Sequence, residues 1–229
     1  VEIVDELVTA VRSGLREVGD PAKAPDMRRY MKSEMPFHGV PKPVREKLTR
    51  RLFAEFPLPD KASFVVAAQK LWREAAFREE RYVAIDLTGY HAYRMWQGRD
   101  LLPVYEEFVV TGAWWDYVDE VASRRIGPLL RADPAAIGPV MRRWATDDDH
   151  WRRRTAIICQ LMSREETDLD LLTYAIEASI TETDFFLRKG IGWALRQYAR
   201  VDAAWVARFV DTHAELSPLS VREALKHIR

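Results

Sequence analysis

Apolar side chains recur three and four residues apart along almost the whole of this chain, and the strict alternation of a half-buried strand is rare. That periodicity leaves all-α architectures as the candidates. It predicts helices over 2–18, 25–34, 42–55, 61–77, 79–96, 101–111, 115–131, 135–145, 151–163, 168–180, 184–199, 203–213 and 218–228. Start signals support several of them. Asp60 precedes KASFVVAAQKLW, Asp133-Pro134 opens AAIGPVMRRW, and Asp184 precedes FFLRKGIGWALRQYA. Pro57-Leu58-Pro59, Gly98 and the Asp147-Asp148-Asp149 turn read as stops. With 229 residues and 48% hydrophobic content, the chain has enough apolar surface for one domain, expected over 1–229.

A faint repeat organises these helices. DHWRRRTAII (149–158) aligns with DFFLRKGIGW (184–193) at a shift of 35 residues. VAI (83–85) and TAI (155–157) lie 72 apart, about two such periods, with Asp119 at the halfway register. Two helices per period of about 35 residues predict a HEAT-like α-solenoid of stacked antiparallel helix pairs. No pair buries its apolar face alone, so each needs the next. Such arrays offer surfaces for extended partners: peptides, proteins or nucleic acid.

Several function classes drop out. No run of 18 apolar residues exists, so no membrane span or membrane partner is expected, and VEIVDELVTAVRSGLREV lacks the basic-then-apolar order of a signal peptide. The single cysteine, Cys159, cannot form an internal disulfide and fits a reducing cytosol, and its apolar helix makes it a core residue. Neither G-x-x-x-x-G-K-[ST] nor G-x-G-x-x-G occurs, and five histidines stand without H-E-x-x-H. No cofactor and no metal are expected, and a monomer suffices. Basic and acidic residues balance at 35 each, and eight lysines leave 27 arginines. Arginine suits phosphate, though a GC-rich genome enriches it equally.

Eight tryptophans are distinctive: Trp72, Trp96, Trp114, Trp115, Trp144, Trp151, Trp193 and Trp205. Core packing is the ordinary fate of each. Trp115 and Asp119, however, are i and i+4 and share one helix face. An indole face and a carboxylate side by side suit a cation. Arg154 follows Trp151 by three, and Trp193 shares a face with Arg196, with Lys189 one turn earlier. Taken singly, Asp119 also reads as a solvated or capping acid, and Arg152 to Arg154 as a solvated face balanced by Asp147 to Asp149. Equivalent repeat registers would carry Trp115, Asp119, Arg154 and Trp193 onto adjacent inner helices.

A basic strip lies upstream. Between Met27 and Arg51, eight basic residues (Arg28, Arg29, Lys32, Lys42, Arg45, Lys47, Arg50 and Arg51) face two acids, Glu34 and Glu46, with Tyr30 inside the strip. An aromatic within a basic patch suits a nucleic-acid backbone. SVREALKHIR, with Arg222 and Lys226, adds a second basic face.

At this point a resemblance emerges. RYMKSEMPFHGVPKPVRE (29–46), VVTGAWWDYVDEV (109–121), WRRRTAIICQL (151–161), FFLRKGIGWALRQYA (185–199) and LSPLSVREALKHI (216–228) resemble, in order, the AlkD family of DNA alkylation repair glycosylases. The family fold is a HEAT-like solenoid. Gly190 departs from the Ala usual in the family, and Pro41-Lys42 and Glu46 depart from its basic-flanked loop. The resemblance implies excision of cationic N3- and N7-alkylated purines from duplex DNA, as in base excision repair, without drawing the base into a deep pocket. It implies Asp119 as catalytic carboxylate, Trp115 and Trp193 as active-site indoles, and Arg154 as the active-site arginine, holding a phosphate near the lesion or positioning Asp119. Tyr30 would line the DNA cleft, and Arg45 and Arg196 would touch backbone. Lys47, Lys189, Arg222 and Lys226 complete the expected DNA contacts. Such a protein would be cytoplasmic and nucleoid-associated when acting. Two alternatives stay open: a catalytically silent HEAT-like DNA-binding protein, and a protein-interaction solenoid.

Overall fold

The computed structural model describes residues 2–228; Val1 and Arg229, the ends of the expected domain, lie outside the described residues. All regular structure among them is helical. The chain divides into two compact units, Val1–Gln97 and Gly98–Arg229. The first holds α1 (Glu2–Val18), α2 (Ala24–Met31), α3 (Lys42–Glu55), α4 (Lys61–Arg73) and α5 (Arg78–Thr88). The second holds α6 (Leu102–Gly112), α7 (Trp115–Val121), α8 (Gly127–Ala132), α9 (Pro134–Ala145), α10 (His150–Ile158), α11 (Leu169–Ser179), α12 (Phe185–Tyr198), α13 (Ala203–Thr212) and α14 (Pro218–Ala224). No described helix is long and apolar enough to cross a membrane.

Aspartates start these helices by a common device. The side chains of Asp60, Asp133, Asp149, Asp168, Asp184 and Asp202 each accept from a backbone N–H in the first turn of the helix that follows. Each satisfies a donor that the helix itself leaves open. Asp149, expected within a stop, is therefore also a start: it receives the N–H groups of Trp151 and Arg152.

In the first unit α1 packs on α3, α4 and α5. Val4, Leu7, Val8, Val11 and Leu15 form its buried stripe. In the second unit helices of like position stack on one another. One row runs α7 on α10, α10 on α12 and α12 on α14; beside it α9 packs on α11. This is the expected stack of helix pairs, and it sets residues 35 apart on neighbouring helices. Cys159 is fully buried, and burial pushes its thiol up to about 12.

Tertiary contacts shorten or reshape several predicted helices. The helix expected over 61–77 ends at Arg73, because Glu80 accepts the N–H groups of Ala76 and Phe77 and turns the chain into α5. The one expected over 79–96 breaks after Thr88, and a 3-10 turn, His91–Trp96, follows. Tyr93 sets that turn: its hydroxyl accepts from Leu58 N–H at 2.9 Å and its ring stacks on Trp96. The helix over 115–131 contains a π-helical segment, Ala122–Ile126, between α7 and α8.

Candidate active site

Asp119 sits on the last turn of α7, just before the π-helical segment, and its backbone carbonyl accepts from Ser123 Oγ at 2.6 Å. Such segments disturb the regular ladder and often accompany functional sites. One row further, Arg154 on α10 meets the carboxylate edge-on. Nε donates to Oδ1 at 2.8 Å and Nη2 to Oδ2 at 3.0 Å. Nη1 donates to the carbonyl of Phe186, at the start of α12. Engaged on all three guanidinium nitrogens, and only 5% exposed as a residue, Arg154 is held rigidly. The 35-residue shift between the aligned repeats puts Arg154 in the register of Asp119, and Lys189 in that of Arg154.

The carboxylate's other side opens on a cleft of about 360 Å³. Trp115 and Trp193, both half-buried, line it, with Asp116, Glu120, Ser123, Arg124, Leu161, Met162 and Gln197. Burial pushes the Asp119 carboxyl above its usual value, against the hydrogen bond and charge of Arg154, and the Asp116 charge adds to the upward push. Among the described residues no group of three or more His, Cys, Asp or Glu side chains could hold a metal ion.

The other tryptophans divide by environment. Trp72 and Trp144 are core residues. Trp114 and Trp151 form a cluster with Phe186. Trp96 stacks on Tyr93 and Trp205 on Phe209. Thus two of the eight indoles, Trp115 and Trp193, line the Asp119 cleft.

The arginine run is not a solvated face. Arg152 pairs with Glu106 and Asp147, and Arg153 reaches the carbonyls of Asp147 and Ala178. The expected DNA contacts differ in their surroundings. In the first unit Tyr30 is 71% exposed and Lys47 is exposed. Arg45 is buried instead, with Nε 2.7 Å from Asp86 and its guanidinium over the Tyr82 ring. In the second unit Arg222 and Lys226 are exposed, while Lys189 and Arg196 both pair with Glu223. Leu161 and Met162 also line the cleft: the helix expected over 151–163 ends at Ile158, and the turn that follows, rather than a helix face, carries them there. Gln197, one turn after Trp193, shares its face by the i, i+4 spacing; Asp116, adjacent to Trp115, does not follow from that spacing.

A family described as DNA alkylation repair enzyme matches residues 11–228. No curated protein matches the chain. Among solved structures, a predicted DNA alkylation repair enzyme from Enterococcus faecalis is 31% identical, with a TM-score of 0.83; the match covers 92% of this chain and 96% of that one. With a match across nearly its whole length, the chain belongs to the DNA alkylation repair enzyme family.

Proposed function

We propose that this protein is a DNA glycosylase that hydrolyses the N-glycosidic bond of cationic N3- and N7-alkylated purines in duplex DNA. The observation that carries this reading is the shared cleft of Trp115, Asp119 and Trp193, with Arg154 fixing the carboxylate from behind. A 3- or 7-alkylpurine is already positively charged. When its bond to the sugar C1′ breaks, the bonding pair moves onto the base, which leaves neutral and needs no proton. The leaving step therefore requires no general acid. Positive charge passes to the sugar, as in glycoside hydrolysis.

The two indole faces and the Asp119 charge stabilise that cation. Water then adds to C1′, and its proton passes to Asp119 or to solvent. Arg154, with every guanidinium nitrogen engaged inside the protein, acts as a positioning residue. Neutral lesions are poor substrates, because nothing in this set activates the base. The protein works as a monomer on duplex DNA, and Tyr30, Lys47, Arg222 and Lys226 lie at its surface.

The test is release of free base from a duplex containing 7-methylguanine. The native protein should release it, and Asp119→Asn should slow release about 100-fold or more while binding duplex nearly as well. Full activity in Asp119→Asn overturns the carboxylate assignment. Duplex binding without any base release by the native protein overturns the enzyme reading in favour of a silent DNA-binding protein.

A further inference from the structure

Gly192 lies where α14 comes closest to α12. A Cβ at this position would sit 2.6 Å from Glu223 Cβ and 3.0 Å from the Ser220 carbonyl oxygen. Its absence lets the two helices close, and Ser220 Oγ then donates to the Arg188 carbonyl at 2.9 Å. The approach delivers the Glu223 carboxylate between two cations of α12. Oε1 is 3.2 Å from Lys189 Nζ and Oε2 is 2.7 Å from Arg196 Nη1. Lys189 precedes Trp193 by one turn and Arg196 follows it by one, so all three share a helix face. Glu223 is the most deeply set member of the trio, its side chain 15% exposed against 40% for Lys189 and 24% for Arg196. Burial opposes its charge, but Lys189, then Arg196 and Lys226, outweigh burial and hold the carboxyl below its usual range.

We propose that Glu223 is a positioning residue for the DNA grip: it fixes Lys189 and Arg196 as one rigid pair that engages the backbone beside Trp193. The inference rests on the reading that the Trp193 face of α12 meets DNA. Two neighbouring cations repel, and a lysine stem is flexible. A carboxylate beneath them removes the repulsion and selects one arrangement. Spare N–H donors remain, since the ammonium carries three and the guanidinium five. The trio bears a net charge of one rather than two, so order at the phosphate is gained while raw attraction is reduced.

Glu223→Gln keeps the shape and an acceptor oxygen and removes the charge. Its binding to undamaged duplex should tighten about 3-fold with a steeper salt dependence, while single-turnover release of 7-methylguanine falls about 10-fold. A role limited to docking α14 would instead weaken binding and release together, along with the melting temperature, and that result overturns the proposal, as does an unchanged release rate. Glu223→Asp, which keeps the charge one methylene short, should lose rate without tightening; it carries the test if the glutamine variant does not fold, and an unchanged rate there overturns the proposal.

Lys189→Ala and Arg196→Ala separate this inference from the one beneath it. Each should flatten the salt dependence of duplex binding by about one unit of slope. Unchanged slopes, in a protein that still releases base, overturn the positioning role and leave the glycosylase reading intact. If the native protein releases no base, the glycosylase reading falls. The binding arm then decides alone: tightening with a steeper slope in Glu223→Gln supports the role, and its absence overturns it.

Discussion

Glu79 in the first unit and Asp119 in the second are both helical carboxylates withdrawn from solvent, yet their surroundings differ in kind. Glu79 is fully buried. Its Oε1 accepts the N–H groups of Gly39 and Val40 at 2.9 and 3.1 Å, and its Oε2 that of His38 at 3.0 Å. It pins the segment between α2 and α3, where Arg78 N–H also holds the Pro36 carbonyl. Asp119 has its two oxygens on one guanidinium and keeps an open side with two indoles around it. Burial of an acid is therefore a poor marker of chemistry. The informative feature is whether its remaining side faces packed protein or a cleft that a substrate can enter.

Breaking the second carboxylate's partnership should give the largest effect. Arg154→Met leaves Asp119 in a half-buried site without its cation, which should cost about 3 kcal/mol of stability at neutral pH and about 100-fold in release rate. Burial already holds the Asp119 carboxyl above the usual aspartate range, so the acid limb of the proposed reaction should lie above that range. Removing the arginine removes both influences that hold the carboxyl down. The limb should move further up, and the stability deficit should shrink as pH falls and Asp119 takes a proton. A pH profile with an unmoved limb contradicts the comparison.

Glu79→Gln should show the opposite pattern. An amide cannot accept on both sides and turns a donor toward the chain, so about 2–3 kcal/mol of stability should be lost. The release rate of the folded fraction at low temperature should change less than about 2-fold, on the scale of substitutions away from the chemistry. A large rate loss with an unshifted melting temperature would assign Glu79 a part in the reaction.

The smallest effect tests how tightly the Asp119 pair is held. A Cβ at position 190 would lie 3.1 Å from Arg154 Nη1 and 3.6 Å from Ile158 Cγ2. Gly190→Ala should displace the guanidinium by a few tenths of an ångström and lower the rate about 3-fold. Its helix-propensity gain of up to about 1 kcal/mol offsets the crowding, so stability should hardly move. Single-turnover kinetics with thermal melting would reveal an unchanged rate, which would mean that the pair has slack.

Much of this is legible in the sequence. The span 42–55 is a helix with those bounds, and 2–18 likewise, because their apolar spacing and flanking residues agree. Trp115 and Asp119 share a face through one turn of helix, and the 35-residue shift between aligned repeats sets Arg154 one row away. Arg45 shows where such reasoning stops. A basic strip suggests a surface, but its guanidinium turns inward to Asp86, 41 residues away, and no local spacing announces that partner. Glu223 is similar: in SVREALKHIR it is one acid among bases, and only the close approach at Gly192 gives it two cations.

The sequence alone determined the all-helical class, where most helices lie, their pairing period and the face that carries an indole and an acid, because those follow from periodicities within a few residues of each position. Tertiary structure decided which charges face inward, which tryptophans reach the cleft, and where the helix beyond Asp119 loosens. Those outcomes depend on contacts between segments tens of residues apart, where the balance of desolvation against pairing exists only once both partners are brought together.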